Sequence, residues 1–182
     1  MIRWALWLAG GLLLGGIVHL STVLLLPKSA TQDAYTRLEA VAPVNRMTAL
    51  PAPTPDGSTI PFMDPAFAVA VCRYDLTGAP LKLTAPVSQA YTSVSFYTRN
   101  GVAYYAINDR AAGRRVIELD LMTSQQHEQM PEEEDVTAAD RLIVDSPTVT
   151  GLIVLRALAP EPGLMPSAVS TLDTAQCRPS PQ

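Results

Sequence analysis

Hydrophobic positions fall into three successive patterns along this chain, and each predicts a different kind of element. From Trp4 to Leu26, twenty-three residues pass without an Asp, Glu, Lys or Arg. At about 1.5 Å of rise per residue such a helix spans roughly 34 Å, enough to cross about 30 Å of hydrocarbon with a modest tilt. From Gln32 to Val41 the pattern becomes amphipathic: Tyr35, Leu38 and Val41 share one helical face, with Asp33, Arg37 and Glu39 elsewhere. Pro43, Pro51, Pro53, Pro55, Pro61 and Pro65 then exclude continuous helix or central strand. This stretch reads as an extended arm, and Ile60, Phe62 and Met63 predict that part of it packs along the domain that follows.

From Ala66 the period drops to two. Phe67, Val69 and Val71 alternate with alanines up to Cys72, with Arg73 and Asp75 on one side of Tyr74. Leu81, Leu83 and Ala85 alternate with Lys82 and Thr84, a half-buried strand. Tyr91 to Arg99 and Val102 to Ile107 flank Asn100-Gly101, a strong hairpin signal. Further strands are expected at Val116 to Met122, Arg141 to Asp145 and Leu152 to Leu158, with one brief helix near Ala168 to Ala175. The prediction is a mainly β chain: an antiparallel β-sandwich or jelly roll behind one N-terminal transmembrane helix. Its divisions are the anchor at 1–28, a short helix and proline-rich arm at 29–65, and the sandwich at 66–182.

The apolar run exceeds the roughly 7–15 residues of an ordinary signal-peptide core. Pro27-Lys28-Ser29-Ala30 puts a lysine just ahead of any cut, so an uncleaved signal anchor is expected. Charge alone leans against export of the domain. Lys28, Arg37 and Arg46 follow the helix, while only Arg3 and the amine precede it. The cysteines argue the other way. Cys72 and Cys177 form an even pair joining an early strand to the chain end, as an oxidising compartment allows; two buried free thiols are the alternative. A Cys72–Cys177 disulfide stabilises by about 4–5 kcal/mol in the chain-entropy model.

Of the thirteen Lys and Arg, Arg3 and Lys28 precede Thr31; the remaining eleven face seventeen Asp and Glu, a net charge of −6. With no basic stripe, nucleic acid is not an expected partner. The acidic run Glu132, Glu133, Glu134 and Asp135 lacks the spacing of a calcium loop and reads as solvated surface.

Residues 91–110, YTSVSFYTRNGVAYYAINDR, with Cys72-Arg-Tyr-Asp75 and Gly151-Leu-Ile-Val-Leu-Arg-Ala157, resemble the bacterial family called domain of unknown function 1254. The likeness covers about Pro43 to Pro160, and the single N-terminal anchor is similar to a short form of that family. The resemblance implies a β-rich exported domain and a companion, the domain of unknown function 1214, fused in long members and encoded nearby in short ones. It implies no catalytic activity. Family members often carry Trp after the first Tyr of the hairpin, where this chain has Thr92. With the helix and the cysteines, the resemblance implies a single-pass protein of the bacterial inner (cytoplasmic) membrane whose C-terminal domain lies in the periplasm.

Candidate chemistry is sparse. The two histidines are His19, inside the apolar run, and His127, which reads as an exposed loop residue. A Ser-His-Asp triad would have to use His127, and the sequence has no G-x-S-x-G elbow. One soluble histidine and two distant cysteines do not make a zinc site, and no cofactor is expected. His19 continues a face formed by Gly11 and Gly15, with Thr22 nearly on it. A GxxxG spacing lets helices approach closely, so this face is expected to pack against another helix, in a homo-oligomer or a partner; a haem ligand or proton relay at His19 is the alternative.

The second constellation is Asn108, Asp109 and Arg110 after the hairpin, with Tyr91, Tyr97, Tyr104 and Tyr105 on its strands. It reads either as a ligand corner or as an Asx turn with cross-strand tyrosine packing. Two functions follow. One is a non-catalytic accessory subunit, held by the bilayer through Trp4 to Leu26 and packed against a membrane-anchored protein of the 1214 companion type. The other is a periplasmic domain that binds or hydrolyses envelope glycans or small molecules at the Asn108 to Arg110 corner.

Overall fold

The computed structural model describes residues 1–29, 33–112, 115–130 and 142–180. The acidic run Glu132 to Asp135 lies outside the described residues, as do Gln32 and Arg141. The N-terminal run is one helix, α1 (Ile2–Ser29), whose Ile2–Leu26 segment is long and apolar enough to cross a membrane and has no residue buried by the rest of the chain.

The remaining described elements are α2 (Ala34–Arg37), β1 (Met47–Ala49), β2 (Phe67–Asp75), β3 (Leu81–Pro86), β4 (Thr92–Thr98), β5 (Ala103–Asn108), α3 (Asp109–Ala112), β6 (Val116–Thr123), α4 (Ser124–Glu128), β7 (Leu142–Ser146), β8 (Thr150–Leu158), α5 (Met165–Asp173) and β9 (Gln176–Pro179). They form two sheets, ordered β1-β2-β8-β4-β5 and β7-β6-β3-β9. Among the described strands every ladder is antiparallel except β6 with β7, which is parallel, so the mainly β sandwich expected from the sequence stands, with one parallel pair in it.

The period-two patterns set the layers. Ala70, Cys72 and Tyr74 of β2, Val94 and Phe96 of β4, and Ile153 and Leu155 of β8 face Leu81, Leu83, Ile117, Leu119 and Leu121 of the opposite sheet, and all are buried. Helix α5 adds Ala168 and Leu172 to this core, touching β2 and β8 of one sheet and β3 of the other. The Cys72–Cys177 disulfide joins β2 to β9, so it ties the two sheets together, with Cα atoms 6.4 Å apart. Tyr74 is the polar hub of the core. Its hydroxyl lies 3.1 Å from the Tyr104 hydroxyl, 3.0 Å from that of Ser146 and 3.3 Å from the Tyr97 carbonyl, to which it donates. Burial pushes the Tyr104 hydroxyl above its ordinary pKa, and Tyr74 adds to the shift.

A second core lies on the outer face of the five-stranded sheet, where the segment after α1 covers β2 and β8. Tyr35, Leu38, Ala42 and Leu50 pack on Val69, Val71, Leu152 and Val154. This accounts for β2, whose seven central residues are all buried: one face meets the sandwich core and the other meets the arm. The helix expected over Gln32 to Val41 is shorter. After Arg37 the chain tightens into a 3-10 turn at Leu38–Ala40, which rotates Val41 into solvent and brings Ala42 inward. Ile60 and Met63 pack on this second core, but Phe62 does not: it stands in solvent at φ 61°. The arm also contributes β1, unseen in its sequence because the prolines around it masked three strand residues.

The hairpin turns at Asn100-Gly101 through a three-residue loop. The register shift between Phe96 and Tyr97 lies further along the hairpin, at Tyr104; at the turn itself Gly101 N–H donates to the Thr98 carbonyl, Thr98 N–H donates to the Val102 carbonyl, and Gly101 sits at φ 80°. That is the turn-plus-bulge geometry in which the left-handed position favours glycine. The helix near the end starts at Met165 instead of Ala168 and closes at Asp173, and the chain then returns as β9, which the sequence reading lacked.

Candidate functional site

The outer face of the five-stranded sheet divides into two halves of opposite character. Cross-strand register sets Val71 beside Val154 and Arg73 beside Leu152, and this half, apolar apart from Arg73, lies under the arm. The next row runs Val69, Arg156, Ser93, Asn108 across β2, β8, β4 and β5, and beside it Ser95 faces Ala106. Here the arm stops. The uncovered half forms an open groove of about 400 Å³ lined by Phe67, Tyr91, Ser93, Ser95, Asn108 and Arg156, with Ala106, Ile107 and Ala111 at its β5 side.

The groove presents donors. Arg156 is half-buried on a strand otherwise mostly buried, and it makes no ion pair or hydrogen bond among the described residues. Asn108 Oδ1 accepts from Ala111 N–H at 2.9 Å, which fixes the amide and leaves its NH₂ without a described partner. Arg156 is the only charged residue in the lining among the described residues. A guanidinium fork beside hydroxyls and an amide, edged by the rings of Tyr91 and Phe67, is suited to hold an oxygen-rich anion with an apolar face.

Of the residues singled out in sequence, Asn108 and Tyr91 line this groove, while Asp109, Arg110 and Tyr97 do not. Asp109 opens α3, and its Oδ1 is buried without a hydrogen-bond partner among the described residues. Arg110 follows it on α3. Tyr97 shares the outer face with Ser93 and Ser95 but packs into the arm-covered core. Tyr104 and Tyr105 pack at 6.1 and 5.7 Å from the Phe96 ring, as cross-strand packing predicts. Thr92 sits on the opposite face of β4 with Val94 and Phe96; fully buried, it accepts from Ser88 N–H at 2.8 Å.

Sequence reasoning missed Ser93, Ser95, Phe67 and Arg156. The signal was present in β8, where Arg156 interrupts the alternating Leu152, Val154 and Leu158 on one face. Reading it required knowing that β4 lies beside β8, a neighbour more than fifty residues away in sequence.

A second built feature locks the arm to the sheet. Asp33 caps α2 by accepting from Thr36 N–H at 2.7 Å and pairs with Arg99 at 3.8 Å. The Tyr35 ring lies between the guanidinium groups of Arg73, at 4.3 Å, and Arg99, at 4.8 Å. Burial works against the charged form of Asp33, but the Thr36 hydrogen bonds, Arg99 and Arg73 outweigh it and hold its pKa below the usual carboxylate value. Asn45 completes the latch: its side-chain amide accepts from Asp75 N–H at 2.8 Å and donates to the Asp75 carbonyl at 2.9 Å.

On α1, Trp7, Leu8, Gly11, Leu12, Gly15, Gly16 and His19 line a shallow groove running along the helix. Thr22, next along this face, donates to the Val18 carbonyl at 2.8 Å. His127 is not in a loop: α4 carries it, under a Thr123–Gln126 capping box, and its Nδ1 lies 2.9 Å from Asp145 Oδ1 on β7. Among the described residues no three His, Cys, Asp or Glu side chains gather as a metal site.

The family model described as Protein of unknown function (DUF1254) matches residues 44–179. No curated protein matches the chain. Among solved structures, the chain is similar to the VPA0106 protein from Vibrio parahaemolyticus, with TM-score 0.59 and 14% identity over 80% of this chain and 32% of that one. It also matches an uncharacterised protein from Burkholderia cenocepacia, with TM-score 0.44 and 12% identity over 72% of this chain and 34% of the other. The chain thus spans about a third of the length of these structures, and the first of them shares its fold.

Proposed function

This chain belongs to the DUF1254 family, and on that premise we propose that it is a membrane-anchored accessory subunit of a bacterial envelope complex. Its α1 helix is the single-pass anchor in the inner membrane, and its sandwich is exported to the periplasm. The disulfide supports the exported reading, since such bonds persist in oxidising compartments. The observation that carries the subunit role is the groove on α1, where Gly11, Gly15 and Gly16 lower one face beside His19. Small residues at that spacing admit a second helix backbone, and a histidine in hydrocarbon gains from a polar partner across the contact. The partner is a membrane-anchored protein of the 1214 companion type. The fold's occurrence within a chain about three times as long supports a domain that works beside further protein.

The test is recovery of the tagged full chain from its own membranes in mild detergent, followed by mass spectrometry of what remains bound at constant ratio. A stoichiometric membrane protein, lost from the Gly15→Leu variant while the sandwich still melts normally, is the expected result. Equal recovery with Gly15→Leu, or recovery of this chain alone, overturns the role of that face.

The donor-lined groove favours a second reading, a periplasmic ligand-binding domain. Its site is the Arg156–Ser93–Asn108 row, with only Asn108 kept from the Asn108 to Arg110 corner.

A further inference from the structure

We infer that the groove over β4, β5 and β8 is a binding site for a small carboxylated sugar. This inference deepens the ligand-binding reading and is independent of the partner on α1. The argument begins with register. On the outer sheet face the arm covers Val69, Val71, Leu152 and Val154 and leaves Arg156, Ser93, Ser95 and Asn108 uncovered. Arg156 is therefore a cation placed on a central strand, flanked by β2 and β4, where its backbone cannot move away. It has no ion pair or hydrogen bond among the described residues. A half-buried guanidinium in that position gains most from a planar two-oxygen anion that it can meet with two parallel hydrogen bonds.

The rest of the lining narrows the class. Ser93 and Ser95 lie two residues apart on β4, so their hydroxyls project on the same side, and neither has a described hydrogen bond. Asn108 is held by Ala111 with its NH₂ left available. These groups match ring hydroxyls, which donate and accept, better than an all-acceptor anion alone. Tyr91 and Phe67 supply apolar ring surface at one end. The groove volume of about 400 Å³ lies in the range of small-molecule sites. One carboxylate, several hydroxyls and an apolar ring face are the features of a uronic acid.

The experiment is calorimetric titration of the purified full chain in detergent with three probes: D-glucuronate, D-glucose and inorganic phosphate. Saturable glucuronate binding, with glucose and phosphate each at least tenfold weaker, is the expected result. Arg156→Met should lower glucuronate affinity at least tenfold, and Ser95→Trp, which fills the groove while leaving Arg156 in place, should abolish binding. Melting of each variant by circular dichroism reports its fold independently. Should Arg156→Met fail to fold, Ser95→Trp carries the decision alone. Glucuronate binding that survives Ser95→Trp overturns the inference. Phosphate binding as tight as glucuronate and lost in Ser95→Trp overturns the sugar class but keeps the groove as a ligand site. No saturation by any probe overturns the inference and removes the support for the ligand-binding reading.

Discussion

At the scale of single residues, the positions that matter most are those where two strands come closest. Gly151 lies in β8 between Tyr74 of β2 and Thr98 of β4, and a methyl group there would overlap the Tyr74 ring end and the Tyr97 carbonyl. The tyrosine hydroxyl reaches Ser146 and Tyr104 only because that space is empty. Gly151→Ala is therefore expected to destabilise the fold by about 1–3 kcal/mol, as overpacked cores do, read as a lowered melting temperature of the full chain in detergent. An unchanged melting temperature would show that Tyr74 swings aside without cost. Nothing near Gly151 in sequence announced this, because its neighbours in space are Tyr74 and Tyr97. By contrast, the Asn100-Gly101 turn was legible, since a left-handed glycine between two alternating runs is a local requirement.

Between residue and molecule stand the elements, and here the arm is the one whose behaviour depends on pH. Asp33 holds α2 to the sheet through Thr36 and Arg99, and these contacts favour its charged form. A carboxylate whose folded pKa is depressed contributes stability that is present above its unfolded pKa, about 4, and lost as pH falls through the lower folded value. Asp75, whose pKa is lowered by hydrogen bonds from Thr77, acts in the same direction. Melting temperatures of the native chain and of Asp33→Asn should thus differ at pH 7 and converge as pH falls below about 4. A gap of constant size down to pH 3 would mean that the Asp33 charge contributes nothing to docking. Helix α2 itself was legible from Tyr35 and Leu38, but its early end was not. Whether the third turn continues is decided by the sheet beneath, which takes Ala42 into the core in place of Val41.

For the whole molecule, the disulfide is the long-range constraint, closing a separation of 105 residues and fastening β9 to β2 across the two sheets. Replacing both cysteines with alanine is expected to lower stability by about 2–5 kcal/mol, measured by denaturant unfolding of the full chain in detergent. Equal midpoints for the native and double-alanine proteins would show that β9 is held by packing and its ladder with β3 alone. The sequence by itself determined the apolar span, the strand alternation and the hairpin, because each rests on a period or a turn that is carried locally. Only the tertiary structure decided which strands are neighbours, and with that the site. Arg156, Ser93 and Asn108 come from three strands and form one row through pairing register, a non-local property that no window of sequence contains. The same pairing set Val71, Leu152 and Val154 under the arm, where Arg73 is held by the Ala42 carbonyl, Glu39 and the Tyr35 ring, and left the Arg156 row open, because a guanidinium and hydroxyls without partners cost more to bury than to leave to water.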